Sequence, residues 1–538
     1  MKSAVKKSLK PFFEAAIDNV IQFGDTDIFP FPIENHFLFD RRKEIISLLR
    51  KTYSYFDKCF NQHLPSHIST LAPVGISGFR WATQQDPFWN VFFLGITLST
   101  FQKIEENRIP VEKNVIFSYR LDNNFLNGKL FREDVSWRDF INHSIDSAKK
   151  CKFVVMCDIA DCYQRIYHHR LQNALGQLYI KNSAPKQIME ILQNFSNTKS
   201  YGLPIGGPAA RILVELVLNL TDQILKSHQV QFCRYADDYH IFVSTIDEAY
   251  EKLHFISEKF LRNDGLALQK SKTRIMSSAE FIATQSPLIS LEEEDSSDAR
   301  KLFALRLRFD PYSANAQEEY DELRAELKKL DILGLLNLEL AKTRIHGVLT
   351  KKLVAAVRYL DSAVKENAIL TLLANLDNLY PIFPAVAITI KSCFHDISEK
   401  AQKQVCRVLQ DRIIQKSFLL GTALHAAYTV RILSEQKSSE NSEALVTLYN
   451  RFPMPLVRRD VILTMAKWQE FPWLSDQINE FQGASPWEKR AFIIASFFMG
   501  DAGNHWRDHA KTQFNPFELL IRDWAAEKVQ KGNWNIPL

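Results

Sequence analysis

Apolar positions change their rhythm twice along the chain. Over the first hundred residues they recur at helical spacing and predict amphipathic helices, with an unusual aromatic load in Arg80-Trp81-Ala82-Thr83-Gln84-Gln85-Asp86-Pro87-Phe88-Trp89-Asn90. After Pro110 the texture becomes mixed. Asn114–Arg120 reads as a strand leading into a polar turn over 122–128. Lys152–Cys157 is a continuous apolar, β-branched run closed by Asp158, the pattern of a buried strand, and helical character follows from Asp161 to Leu175. Val230–Tyr235 and His240–Ser244 are two further strand runs, close enough to form a tight hairpin.

The second change comes at Leu291-Glu292-Glu293-Glu294-Asp295-Ser296-Ser297-Asp298, which has too few apolar residues to pack and reads as a linker. Beyond it the pattern is helix after helix. Related apolar segments recur at Val364–Leu370, Val457–Leu463 and Glu488–Ile494, the last two about one helical hairpin apart. They predict an α-solenoid of HEAT type, with an irregular helical bundle as the alternative.

Composition narrows the class. A chain of 538 residues is long enough for two or more domains, and 46% hydrophobic with 24% charged residues supports packed cores rather than disorder. Only 17 glycines disfavour a turn-rich all-β protein. The net charge of +5, from 67 basic and 62 acidic residues, is too balanced for wrapping a long duplex through phosphate contacts alone, so nucleic-acid contact should be local. Seven cysteines form no CxxC and no zinc-like pairing, which suits reduced thiols in a cytosol. Glu14 and Asp18 interrupt any signal-peptide core, and Phe88–Leu98 falls short of the roughly 20 residues a bilayer span requires. A cytoplasmic protein without a membrane partner is expected.

The strongest chemical signal is Tyr235-Ala236-Asp237-Asp238 between two strand runs. A hairpin tip lets adjacent carboxylates project together, which invites a divalent metal; an ordinary Asp-rich turn would look the same. Asp158 ends an apolar strand about 80 residues earlier and could share the sheet, though alone it would also serve as a helix N-cap. Three converging carboxylates would hold two Mg2+ ions, one activating an attacking 3′-hydroxyl and one stabilising the leaving pyrophosphate. That is the constellation of a palm-domain polymerase.

The order Asp158-Ile159-Ala160-Asp161-Cys162-Tyr163, Gly202-Leu203-Pro204-Ile205-Gly206-Gly207-Pro208-Ala209, Tyr235-Ala236-Asp237-Asp238, and Gly265-Leu266-Ala267-Leu268 with Lys272-Thr273 resembles the successive motifs of reverse transcriptases. With the Arg80–Asn90 segment and the long helical C-terminus, the chain looks more narrowly like the bacterial abortive-infection reverse transcriptases of the AbiK and AbiA kind. The resemblance implies an α+β right-hand fold, fingers and palm of reverse-transcriptase type, followed by an all-α HEAT-like domain. The expected division is 1–110 as a helical region and the start of the fingers, 111–290 as fingers and palm, 291–300 as an acidic linker, and 301–538 as helical repeats.

The resemblance also assigns roles. Asp158, Asp237 and Asp238 would be catalytic metal ligands. Tyr163 would be the steric gate under the deoxyribose, with a packing tyrosine as the alternative. Gly206 would permit close approach of a nucleotide. Lys272 would lie near the triphosphate unless it is simply a solvated lysine, and Arg120 would clamp the triphosphate unless it forms an exposed structural ion pair. Ile205 stands where many templated relatives carry Gln, a departure compatible with untemplated, protein-primed synthesis. The implied activity is antiphage DNA synthesis from dNTPs by a homo-oligomer, with single-stranded product attached to the protein. The alternatives are a templated enzyme using an associated RNA, and a helical scaffold with a vestigial site. His505-Trp506-Arg507-Asp508-His509 reads as a helix surface rather than a nuclease centre.

Overall fold

The computed structural model describes residues 9–538 except 27, 76–77, 123, 126–127, 197–198, 291–297, 299–300, 303–304, 306, 308–315, 343–344 and 533. The expected linker at 291–300 therefore lies, apart from Asp298, outside the described residues. The chain opens with helices Lys10–Phe23, Glu34–Asp40, Arg42–Ser54 and Phe56–Gln62. Where helix alone was expected, a hairpin follows: β1 (His67–Pro73) pairs antiparallel with β2 (Phe79–Gln85). Burial alternates along β1, with Ile68, Thr70 and Ala72 inward, so the local period is 2 and not 3.6.

Asp86 then caps the helix Pro87–Asn107 by accepting from the Phe88 amide, with Pro87 at the first turn where no amide hydrogen is needed. That helix is buried almost all round, as its near-continuous apolar sequence requires.

The palm sheet is antiparallel throughout, in the order β4-β5-β3-β6, with β3 at Phe153–Asp158, β4 at Phe232–Tyr235, β5 at Asp238–Val243 and β6 at Arg274–Ser277. The strand expected over Asn114–Arg120 is a correction: only Ile116 bridges, to Arg234, and Tyr119 turns to a φ of 47°. Its backbone serves a different purpose, since the Ser118 and Tyr119 carbonyls accept from the buried Arg108 guanidinium. The helix expected over 161–175 is broken into Cys162–Arg165 and His168–Gln177, because Ile166 and Tyr167 extend and Tyr167 bridges to Tyr201.

Beyond residue 330 the helices stack in two rows. Gly347–Ala356, Phe383–Ser392, Ala423–Leu433, Pro455–Lys467, Pro486–Ala495 and Pro516–Gln530 pack one upon the next; Ile332–Leu340, Ser362–Ala374, Glu399–Ile414 and Ser439–Arg451 form the second row. Ala423–Leu433 is buried along its whole length, whereas Glu399–Ile414 buries only Ala401, Val405, Cys406, Leu409 and Ile413 at helical spacing. The difference marks an inner and an outer row. Of the related segments, Val457–Leu463 and Glu488–Ile494 lie on successive inner helices and Val364–Leu370 on an outer one.

The inner row rests on the N-terminal part of the chain. Arg459 donates to Gln84 and to the Pro30 carbonyl, and Arg490 to Glu34 and Asp86. Tyr428 and Arg431 donate to the Ile28 and Phe31 carbonyls, and Trp524 to Asp40. Among the described residues one hydrophobic cluster includes both Leu9 and Ile536 and joins the N-terminal helices to the inner row, and a second, built on Phe140, Val154 and Phe242, packs on the palm sheet.

Candidate active site

The carboxylates come together through strand register. Asp158 is the last residue of β3 and faces Asp238, the first of β5; Asp237 sits in the β4–β5 turn, where its carbonyl accepts from the Ile159 amide at 3.2 Å. The turn is tight because Ala236 adopts φ 52°. Beneath it Arg234, fully buried, donates to the Ala236 carbonyl at 2.8 Å and so fixes the turn from below. The same guanidinium binds Asp222 and Glu215, both buried on the helix Pro208–Ser227, and Glu215 also receives Arg108 and the Ser118 hydroxyl. Despite its burial, the Arg234 and Arg108 charges hold the Glu215 carboxyl below the usual carboxylate range.

At the tip the balance differs. Burial, then the charges of Asp237 and Asp158, push the Asp238 carboxyl up to about 7. Burial and Asp158 raise Asp237 as well. Lys272 is the counter-charge: its Nζ donates to Asp158 Oδ1 at 2.9 Å, with its side chain 64% exposed. Partial burial works against the ammonium, but the hydrogen bond to Asp158 and the two other carboxylates raise its pKa. The Gln269 amide, donating to the Asp158 carbonyl at 2.7 Å, brings the Lys272 loop there.

Among the described residues no three His, Cys, Asp or Glu side chains close into a metal cage. Hard carboxylate oxygens gathered at the ends of the two central strands nevertheless fit Mg2+, which keeps several waters and is held by one or two carboxylates plus substrate phosphates rather than by a protein cage. Polymerases of this type use divalent ions; Asp158, Asp237 and Asp238 are the residues that would hold them.

Tyr163 stands beside this cluster, half-buried, hydrogen-bonded to the Tyr119 hydroxyl; burial, then Tyr119, pushes its own hydroxyl far above the ordinary range. Its carbonyl accepts from the Leu203 amide at 2.8 Å, which seats the glycine segment against it. Gly206 has φ +126°, and a Cβ there would lie 2.6 Å from Thr26 Oγ1, so only glycine fits. Ile205 is half-buried in the same loop.

Arg120 is not brought to this face. It is 2% exposed, its Nη2 pairs with Glu105 at 2.6 Å and donates to the Ile109 carbonyl at 3.1 Å. Burial and the neighbouring Arg108 lower its pKa to about 10. A guanidinium so enclosed offers no surface to a triphosphate, and the ion pair it makes is buried rather than exposed. The residues that sequence reasoning passed over are Tyr119, with Arg211 5.5 Å above its ring, and the Arg108–Glu215–Asp222–Arg234 cluster. A signal existed for the cluster: Glu215 and Asp222 lie seven positions apart on one face of an apolar helix, and Arg234 interrupts an apolar strand.

An antiparallel sheet that brings carboxylates from two central strands to one end, backed by a helix and fronted by a glycine loop, defines the palm of a nucleic-acid polymerase. Residues 56–329 match the model of the reverse transcriptase (RNA-dependent DNA polymerase) family, half of the chain, and the chain belongs to that family. It is a DNA polymerase, a nucleotidyltransferase of reverse-transcriptase type.

No curated protein matches it. Among solved structures it is similar to the telomerase of Candida albicans in complex with a TWJ fragment of telomeric RNA, with 12% identity, a TM-score of 0.28, and coverage of 84% of this chain and 70% of that one. It is also similar to the Candida tropicalis telomerase in the corresponding complex, with 11% identity, a TM-score of 0.29, and coverage of 76% and 68%. No helix among the described residues is long and apolar enough to cross a membrane.

Proposed function

We propose that the chain polymerises dNTPs at Asp158, Asp237 and Asp238, without a template, from a primer hydroxyl on the protein itself. The observation that carries the catalytic part is the uncompensated charge at the ends of the central strands: Asp158 and Asp238, paired in register, and Asp237 in the adjoining turn share one exposed lysine, and Asp238 is pushed up to about 7. Bound Mg2+ supplies Lewis-acid stabilisation of the transferring phosphate and lowers the pKa of the attacking hydroxyl. The chain's own residues do the rest. In this reading Lys272 meets the charge that develops on pyrophosphate, and the Tyr163 ring excludes a 2′-hydroxyl by overlap.

The absence of a template is supported by Ile205, an aliphatic side chain that cannot donate to a base pair, and by the motif resemblance to AbiK- and AbiA-type enzymes. That resemblance also supports a cytoplasmic antiphage role, a homo-oligomer and DNA product covalently attached to the protein. The two-row stack of helices supports a HEAT-like region offering a surface to product or to neighbouring subunits.

Mass measurement of purified protein incubated with dNTPs and Mg2+, before and after nuclease treatment, tests this reading. DNA attached to the chain is the expected result; strict dependence on an added RNA would replace it with templated synthesis.

A further inference from the structure

Residues 24–26 and 28–33 form a strap pinned from one side and pressed against the polymerase site on the other. Four of its pins come from the inner helical row. Tyr428, Arg459 and Arg431 donate to the carbonyls of Ile28, Pro30 and Phe31, and Arg490 pairs with Glu34 just past the strap. Arg459 also donates to Gln84 Oε1 at 3.1 Å, while Gln84 Nε2 donates to Asp25 Oδ2 at 2.8 Å, so a single guanidinium holds the strap and hairpin strand β2 together. Arg459 is 1% exposed and packs 4.9 Å from the Trp487 ring, which leaves it one geometry.

The other face of the strap backs the glycine loop. Thr26 lies against Gly206, and the Asp25 carbonyl is 3.7 Å from the Cβ position of Gly207. Gly206 has no side chain of its own to lock a backbone at φ +126°, a conformation that other residues rarely adopt. Its conformation must therefore be held by what packs on it, and on this side that is the strap.

We propose that the helical region sets the conformation of the Gly206–Gly207 loop through this strap, and that Arg459 is a positioning residue for nucleotide addition although it lies outside the polymerase fold. The effect on nucleotide addition rests on the polymerase reading of the site; the effect on loop conformation does not. Arg459 touches neither nucleotide nor carboxylate. Its part is to hold Pro30 and Gln84, which hold Asp25 and Thr26 against the glycines. Displacing the inner row would loosen the loop without disturbing the strands that carry Asp158 and Asp238.

The test is backbone hydrogen exchange over residues 202–208 together with dNTP incorporation, in the full chain, for wild type, Arg459→Gln, Arg459→Lys, Thr26→Ala and the Arg459→Gln/Thr26→Ala double variant. Arg459→Gln and Thr26→Ala should each raise exchange at the loop amides by about tenfold and leave the β3–β5 amides unchanged. Each should lower kcat by about tenfold with the dNTP KM within about twofold, since a displaced loop costs reaction geometry more than binding. Arg459→Lys should restore part of both effects, and the double variant should be no worse than the more severe single one. Thr26→Ala lies outside the helical region and carries the test if Arg459→Gln does not fold. Unchanged exchange over 202–208 in the folded variants, or effects that multiply in the double variant, would overturn the proposal. Exchange reports on the relay even in a chain that incorporates nothing, so a failure of the polymerase reading registers separately, in the wild type.

Discussion

Beneath the β4–β5 turn two arginines, Arg108 and Arg234, face two carboxylates, Glu215 and Asp222; at the tip of the same turn Asp158, Asp237 and Asp238 share Lys272. The lower cluster is neutral in sum, sealed and hydrogen-bonded on nearly every oxygen, and Arg234 has no exposed surface. The upper one carries excess negative charge, stands at the ends of the central strands β3 and β5, and has a partly exposed lysine as its cation. Burying ions costs several kcal/mol each unless they are matched, which is why the lower set is balanced. The upper set is left unbalanced, and an unbalanced set of hard oxygens is a place for a bound cation. Similar residue types thus serve as scaffold and as chemistry within one turn, distinguished by charge balance and access.

The largest consequence falls on the lower cluster. Arg234→Met should destabilise the protein by about 3–5 kcal/mol, the scale for removing one partner of a buried ion set, because Glu215 and Asp222 lose their shared counter-charge and the Ala236 carbonyl its donor. Denaturant unfolding measures it. A change below about 1 kcal/mol would mean that water reaches the cluster and that its sealed character is misread.

The upper cluster should show the opposite sign. A carboxyl raised to about 7 in the folded state, against about 3.9 unfolded, binds its proton more tightly when folded. Metal-free protein should therefore lose stability as pH rises from about 4 through 7 from this site. Asp238→Asn should flatten that part of the profile, and millimolar Mg2+ should restore stability at pH 8 to the wild type more than to Asp238→Asn. Urea melts at fixed ionic strength report all three. A profile unaltered by Asp238→Asn would show that the carboxylates are solvated and independent.

A smaller effect separates ring from hydroxyl at Tyr163. Tyr163→Ala should raise the ratio of rNTP to dNTP efficiency while keeping dNTP activity, since the overlap is steric. Tyr163→Phe, which removes only the hydrogen bond with Tyr119, should leave the ratio within about threefold and cost about 1 kcal/mol of stability. An unchanged ratio in an active Tyr163→Ala enzyme would make this a packing residue.

The same contrast explains what could be read in the sequence. Asp158, Asp237 and Asp238 stood out because carboxylates that end continuous apolar strand runs are rare, and the pairing of β3 with β5 brings two such run ends, Asp158 and Asp238, opposite each other. Arg120 misled because a lone arginine near a polar turn carries no sign of whether it points in or out, and Glu105, its partner, lies in the preceding helix. The β1–β2 hairpin was hidden by a short polar alternation in a helical neighbourhood. Arg80–Asn90 was visible as a motif but not as a joint: Gln84 and Asp86 owe their places to Arg459 and Arg490, some 400 positions later, a pairing no local pattern carries.

The central claim is that the open cluster performs the chemistry and is not required by the fold. Incorporation of labelled dNTPs by Asp237→Asn, measured beside its unfolding curve, tests it most directly. The account predicts a loss of at least about 10²–10³-fold in rate, the scale for removing one preorganised charge from a reaction centre, with stability equal to or above that of the wild type at pH 8. Incorporation at the wild-type rate by a folded Asp237→Asn protein would contradict it.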